Sequence, residues 1–189
     1  MIFIISLIIC IALHELGHLF AAKAVKCEVE VFSIGFGKPI FQKKIGKTVY
    51  QIAWIPVGGF CKLQDELVFS KKKHIFPNLP YSQKLLVVLA GCAVNIITGI
   101  IAFAIGHFSH IYAFLYFGFF SVLLGLSNLL PIPALDGSYP VLVWLEKPYG
   151  KEKGYLLMAK ICRVGFIILM ILNIISIPLI IQMAMKGML

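Results

Sequence analysis

Apolar residues run almost unbroken from Ile2 to Ala22, Leu85 to Ile105, Ile111 to Leu130 and Ile161 to Met183. A helix needs roughly 20 such residues to cross a hydrocarbon core, so the pattern predicts four spans, at about 2–23, 84–106, 111–130 and 160–184. Between the first two the texture changes. From Val29 to Lys62, β-branched and aromatic residues mix with Gly and Pro in pieces too short and too polar to cross, and this predicts strands. Thr48 to Ile55 is the clearest of them, with Lys43-Lys44-Ile45-Gly46-Lys47 as a hairpin turn before it. Gly35-Phe36-Gly37 and Pro56-Val57-Gly58-Gly59 are places where the backbone bends or something approaches closely. Irregular backbone at membrane depth survives only when buried in protein or lining a cavity, so a re-entrant loop at 29–62 implies a cavity. Gln64 to Gln83 is polar and lysine-rich, a surface segment suited to anionic headgroups.

Composition supports that reading. With 189 residues, 60% of them hydrophobic and a mean hydropathy of +0.96, the chain is far more apolar than a soluble domain. The expected fold is a mostly α membrane protein, one domain over 1–189, with about four transmembrane helices and a β-rich insertion after the first. The net charge of +9 comes from lysines clustered in the connections. Eleven Lys fall between Lys23 and Lys84, five Lys or Arg between Lys147 and Arg163, and none near His107 to Tyr112. The positive-inside rule then puts the two basic connections in the cytoplasm and both chain ends outside. It also explains the charge without nucleic acid, for which no module is present. The five cysteines are scattered with no CxxC pair and suggest neither a disulfide framework nor a structural zinc site. No pattern speaks to oligomeric state.

Within the first apolar run stands His14-Glu15-Leu16-Gly17-His18. Ionisable side chains are costly in lipid and need a partner. On a helix the two imidazoles project from one face at a spacing that chelates one zinc, leaving Glu15 beside them as a base. A hydrogen-bonded histidine pair, or a metal site without chemistry, has the same signature. Ala90-Gly91 and Asn95 in the second run are small residues suited to close packing, followed by a buried amide that needs a partner. The third run ends in Asn128-Leu129-Leu130-Pro131-Ile132-Pro133-Ala134-Leu135-Asp136-Gly137. Pro131 and Pro133 cannot continue a helix, so the chain unwinds there and Asp136 is able to turn back toward the bundle. A solvated turn Asp is the plainer reading of Asp136. By the charge argument, however, His14, His18 and Asp136 all fall toward the cytoplasmic side.

Taken together, these motifs resemble the site-2 protease family of intramembrane zinc metalloproteases. The likeness rests on His14 to His18, Gly35 to Gly37, Pro56 to Gly59, Ala90-Gly91 to Asn95, and Asn128 to Gly137, in that order over nearly the whole chain. Cys92 stands where that family usually has Pro, and Ser138 where a second Gly is common. The resemblance implies a three-helix core, zinc held by His14, His18 and Asp136, and Glu15 as catalytic base. Asn128, Asn95, Gly58, Gly59, Pro131 and Pro133 would be supporting or substrate-binding residues. The implied reaction is hydrolysis within or beside a transmembrane segment of a membrane-protein substrate, in regulated proteolysis or clearance of signal-peptide remnants, in a prokaryotic cell membrane. With no insertion long enough for a PDZ domain and no CBS domain, the chain reads as a minimal member. The competing expectation is a non-catalytic transmembrane metal-binding or transport protein built on the same ligands.

Overall fold

The computed structural model describes residues 2–64, 75–133, 135–142, 146–150, 153–154, 156–157, 159–168 and 171. Residues 65–74 of the expected surface segment Gln64–Gln83, and the fourth expected span beyond 171, lie outside these residues; within the rest of that segment Ile75, Phe76 and Leu79 are buried, so it is not all surface. The chain divides into two compact units, Met1–Leu130 and Pro131–Leu189.

Among its described residues, the first unit holds three α-helices, a short 3-10 turn at Phe76–Asn78 and a β-ribbon. Helix α1 spans Ile2–Ala24, α2 Tyr81–Ser109 and α3 Tyr112–Asn128. No residue inside them is Pro, so each ladder of backbone hydrogen bonds closes within its own segment, the condition for crossing lipid. Helix α2 starts directly after Pro80 and ends at His110, whose φ of 57° turns the chain into α3. Among the described residues, two helices, Ile5–Ala24 and Tyr81–Ser109, are long and apolar enough to cross a membrane, and Tyr112–Asn128 is a shorter apolar one.

Burial in this unit is inverted relative to a soluble protein. Ile97, Ile100, Ile101, Phe119, Leu123 and Leu126 are exposed, whereas Ser6, His14, Asn95 and Ser121 are buried. A bundle whose outer face is apolar and whose inner face carries the polar groups suits hydrocarbon surroundings. Ser121 Oγ donates to the Asn95 carbonyl at 2.8 Å, and Thr98 Oγ1 lies 3.2 Å from Ser121 Oγ, tying α3 to α2. Helices α1 and α2 cross closely. A Cβ on Gly17 would stand 2.7 Å from the Ala90 oxygen and 2.9 Å from Gly91 Cα.

The insertion is a long antiparallel hairpin of β1 (Val29–Ile45) and β2 (Thr48–Leu63). Its turn is Gly46-Lys47, as the sequence predicts. Val31 to Ile34 have partners on two sides, Lys62 to Gly59 and Val49 to Ile52, so the ribbon is folded on itself. The bends carry Gly35 at φ 91° and Gly58 at φ 123°. The strand expected over Thr48–Ile55 therefore continues to Leu63, because Gly58 bends the chain without ending its pairing. Lys23, at the end of α1, donates to the Tyr50 hydroxyl, and Lys62 pairs with Glu30 at 2.8 Å.

The second unit contains the proline segment and short helices α4 (Ser138–Leu142) and α5 (Glu146–Tyr149), followed by helical residues at 159–168. The chain unwinds at Pro131 and Pro133, as expected. Asp136 sits in a turn, its carbonyl accepting from the Tyr139 amide at 3.0 Å, while Ser138 Oγ donates to the Leu135 carbonyl at 2.7 Å. Gly165 packs on Pro133, where a Cβ would come within 2.4 Å of the proline ring.

Candidate metal centre

The four-residue spacing in α1 puts His14 and His18 on one face, and their rings meet edge to face with centroids 4.7 Å apart. Their Nε2 atoms converge to 3.1 Å. Two imidazole nitrogens on one tetrahedral zinc, each about 2.0–2.1 Å from it, are about 3.3 Å apart. The pair therefore fits a single cation with little adjustment.

The rest of the first unit is arranged around these rings. His18 Nδ1 lies 2.8 Å from the Val87 carbonyl, which can only accept. Nδ1 therefore carries the proton and Nε2 keeps its lone pair. His14 is buried, with the Asn95 amide nitrogen 3.3 Å from its Nδ1 and the Asn128 amide nitrogen 3.3 Å from its Nε2. Both asparagines picked out in the sequence thus reach the same imidazole, one from α2 and one from the last residue of α3.

Gly91 closes the other side. A Cβ there would lie 2.5 Å from His18 Nε2 and 2.8 Å from His14 Cε1, so any larger residue would occupy the space the nitrogens enclose. Gly59 of β2 comes equally close to Glu15: a Cβ would stand 2.8 Å from Glu15 Cγ and 2.9 Å from the Ser33 oxygen. The ribbon's backbone therefore passes directly beside Glu15. Gly58, also a sequence candidate, faces the Phe36 ring instead. Pro131, Pro133 and Asp136 belong to the second unit. Sequence reasoning missed the Val87 carbonyl, because a backbone acceptor has no residue signature.

Comparison with known proteins follows the same outline. The sequence profile of peptidase family M50 matches residues 2–114, a stretch that contains His14, Glu15, His18 and Asn95 and ends before Asn128. Regulator of sigma-E protease RseP of Escherichia coli is 39% identical over 107 residues, covering 53% of this chain and 24% of that protein. A Chlamydia pneumoniae protein provisionally named a zinc metalloprotease is 37% identical over 114 residues, covering 53% of this chain and 18% of that protein. The chain thus spans about a fifth to a quarter of the length of these relatives. In fold it is similar to the site-2 protease of Methanocaldococcus jannaschii, with a TM-score of 0.54 and 24% identity over 93% of this chain and 68% of that one.

Proposed function

We propose, from the premise that this chain belongs to peptidase family M50, that it is a zinc peptidase acting inside a membrane on a transmembrane segment of a protein substrate. The observation that carries the proposal is the convergence of the two Nε2 atoms to 3.1 Å within an apolar helix, with Glu15 next to the first of them. Two imidazoles are costly in lipid even when hydrogen-bonded, and a cation between their facing Nε2 atoms offsets that cost.

In this reading Asp136 is the third ligand and zinc the cofactor. The double-proline break supports that role for Asp136, since it frees the chain from a helix just before the only Asp outside the polar loop of Asp65. When bound, zinc supplies Lewis acidity toward water and the scissile carbonyl. The chain's own groups do the rest. Glu15 takes a proton from the attacking water and returns it to the leaving amine. Asn128, whose amide nitrogen lies 3.3 Å from His14 Nε2, is at hand to donate to the substrate's backbone. A transmembrane helix hides its peptide bonds and must unwind to be cut. Strand β2, which passes Glu15 at Gly59, is the surface on which an extended segment would pair.

The proposed setting is one four-span domain, with both ends outside and the site toward the cytoplasm. The lysine distribution supports that orientation. Substrate trapping tests the function: membranes of cells carrying wild type or Glu15→Gln are compared for full-length single-span proteins retained on the purified variant. A variant that holds zinc, traps nothing and leaves every membrane protein processed as in wild type would refute it.

A further inference from the structure

We infer that Asn95 positions His14 for the metal by accepting its Nδ1 proton through Oδ1, which selects the tautomer whose Nε2 lone pair faces the cation. The inference rests on the zinc reading above and adds a residue that acts through a ligand and touches neither metal nor substrate.

A neutral imidazole has one N–H and one lone pair. Two Nε2 lone pairs facing each other at 3.1 Å repel unless a cation lies between them, so it is with the metal bound that each Nε2 presents its lone pair and each Nδ1 must give its proton to an acceptor. His18 has that acceptor in the Val87 carbonyl. For His14 the group at Nδ1 is the Asn95 carboxamide, 3.3 Å away.

Asn95 is wholly buried, and its Oδ1 has no hydrogen-bond partner. An unpaired buried acceptor costs about 1–3 kcal/mol. Both faults have one remedy. The two ends of a carboxamide are alike in shape, and hydrogen bonding decides which way round it sits. Turned by half a revolution, the amide sets Oδ1 against the Nδ1–H of His14 and removes the acceptor from a place no donor reaches. In the opposite tautomer, Oδ1 of Asn95 would stay unpaired. The backbone of Asn95 is held for this task, since its carbonyl accepts from Ser121 Oγ at 2.8 Å.

Two measurements on the full chain in lipid nanodiscs test the inference. In zinc-loaded wild type labelled with 15N-histidine, imidazole shifts report which nitrogen of each ring is protonated. His14 protonated at Nδ1 is expected, and His14 protonated at Nε2 overturns the inference. Zinc affinity by competition with a chromophoric chelator should fall 10–100-fold in Asn95→Leu, which keeps the volume and loses the acceptor. It should stay within about threefold in Asn95→Asp, which keeps the acceptor. Equal affinity for wild type and Asn95→Leu overturns this inference alone. A wild type that binds no zinc overturns the metal reading with it. A loss equal in Asn95→Leu and Asn95→Asp marks a merely structural role, and likewise overturns the inference.

Discussion

Gly91→Ala adds one methyl group, and the structure places that methyl in the space enclosed by His14 and His18. The new carbon would lie 2.5 Å from His18 Nε2 and 2.8 Å from His14 Cε1. Ordinary contact begins near 3.4 Å, so one imidazole must retreat by about 0.9 Å. Ligand distances in a metal site tolerate only about 0.2 Å, so the retreat costs a ligand. The expected result is a zinc affinity at least about 100-fold weaker, roughly 2.7 kcal/mol. Helix packing should change little, because the nearest atoms are side-chain tips and not backbone. Gly17→Ala is the counterpart: its methyl meets the Ala90 oxygen at 2.7 Å and Gly91 Cα at 2.9 Å. Forcing that crossing apart should cost about 1–3 kcal/mol of stability. The assay is chelator competition on both purified variants, with thermal unfolding of the metal-free proteins alongside. Wild-type zinc affinity in a folded Gly91→Ala would refute the convergence of both imidazoles on one ion.

Further outcomes follow from the same geometry. Asp136→Ala should bind less zinc per chain than wild type by elemental analysis, and undiminished stoichiometry would remove Asp136 from the ligand set. Gly59→Val would drive its Cβ to within 2.8 Å of Glu15 Cγ, so peptide cleavage should fall about 100-fold with zinc content unchanged. Stripping the metal with a strong chelator should abolish cleavage, and added zinc should restore it.

Much of the site is legible in the sequence because it is local. His14, Glu15 and His18 lie within five residues, and helical spacing alone puts both rings on one face. The hairpin turn at Gly46-Lys47 and the unwinding at Pro131 and Pro133 are equally local, decided by residues with unusual backbone preferences. What the sequence does not reveal depends on contact between distant segments. That Asn95 and Asn128 meet the same imidazole, 81 and 114 residues away, follows only from how α1, α2 and α3 pack. The role of Gly91 likewise needs the crossing of α1 with α2, since a glycine in an apolar run reads simply as a packing residue. Helix ends move for lesser reasons. The apolar stretches at 84–106 and 111–130 fold as helices Tyr81–Ser109 and Tyr112–Asn128, because Pro80, His110 and the residues before Pro131 set the termini and hydropathy does not.

The most direct test of a membrane-embedded zinc peptidase is cleavage in a reconstituted bilayer. Wild type and Glu15→Gln, each carrying the same measured amount of zinc, are incorporated into vesicles with a single-span polypeptide, and the products are mapped by mass spectrometry. The account predicts a cut within or beside the span by wild type and a rate lower by about 100-fold or more in the variant. Equal cleavage by the two zinc-loaded proteins would contradict it.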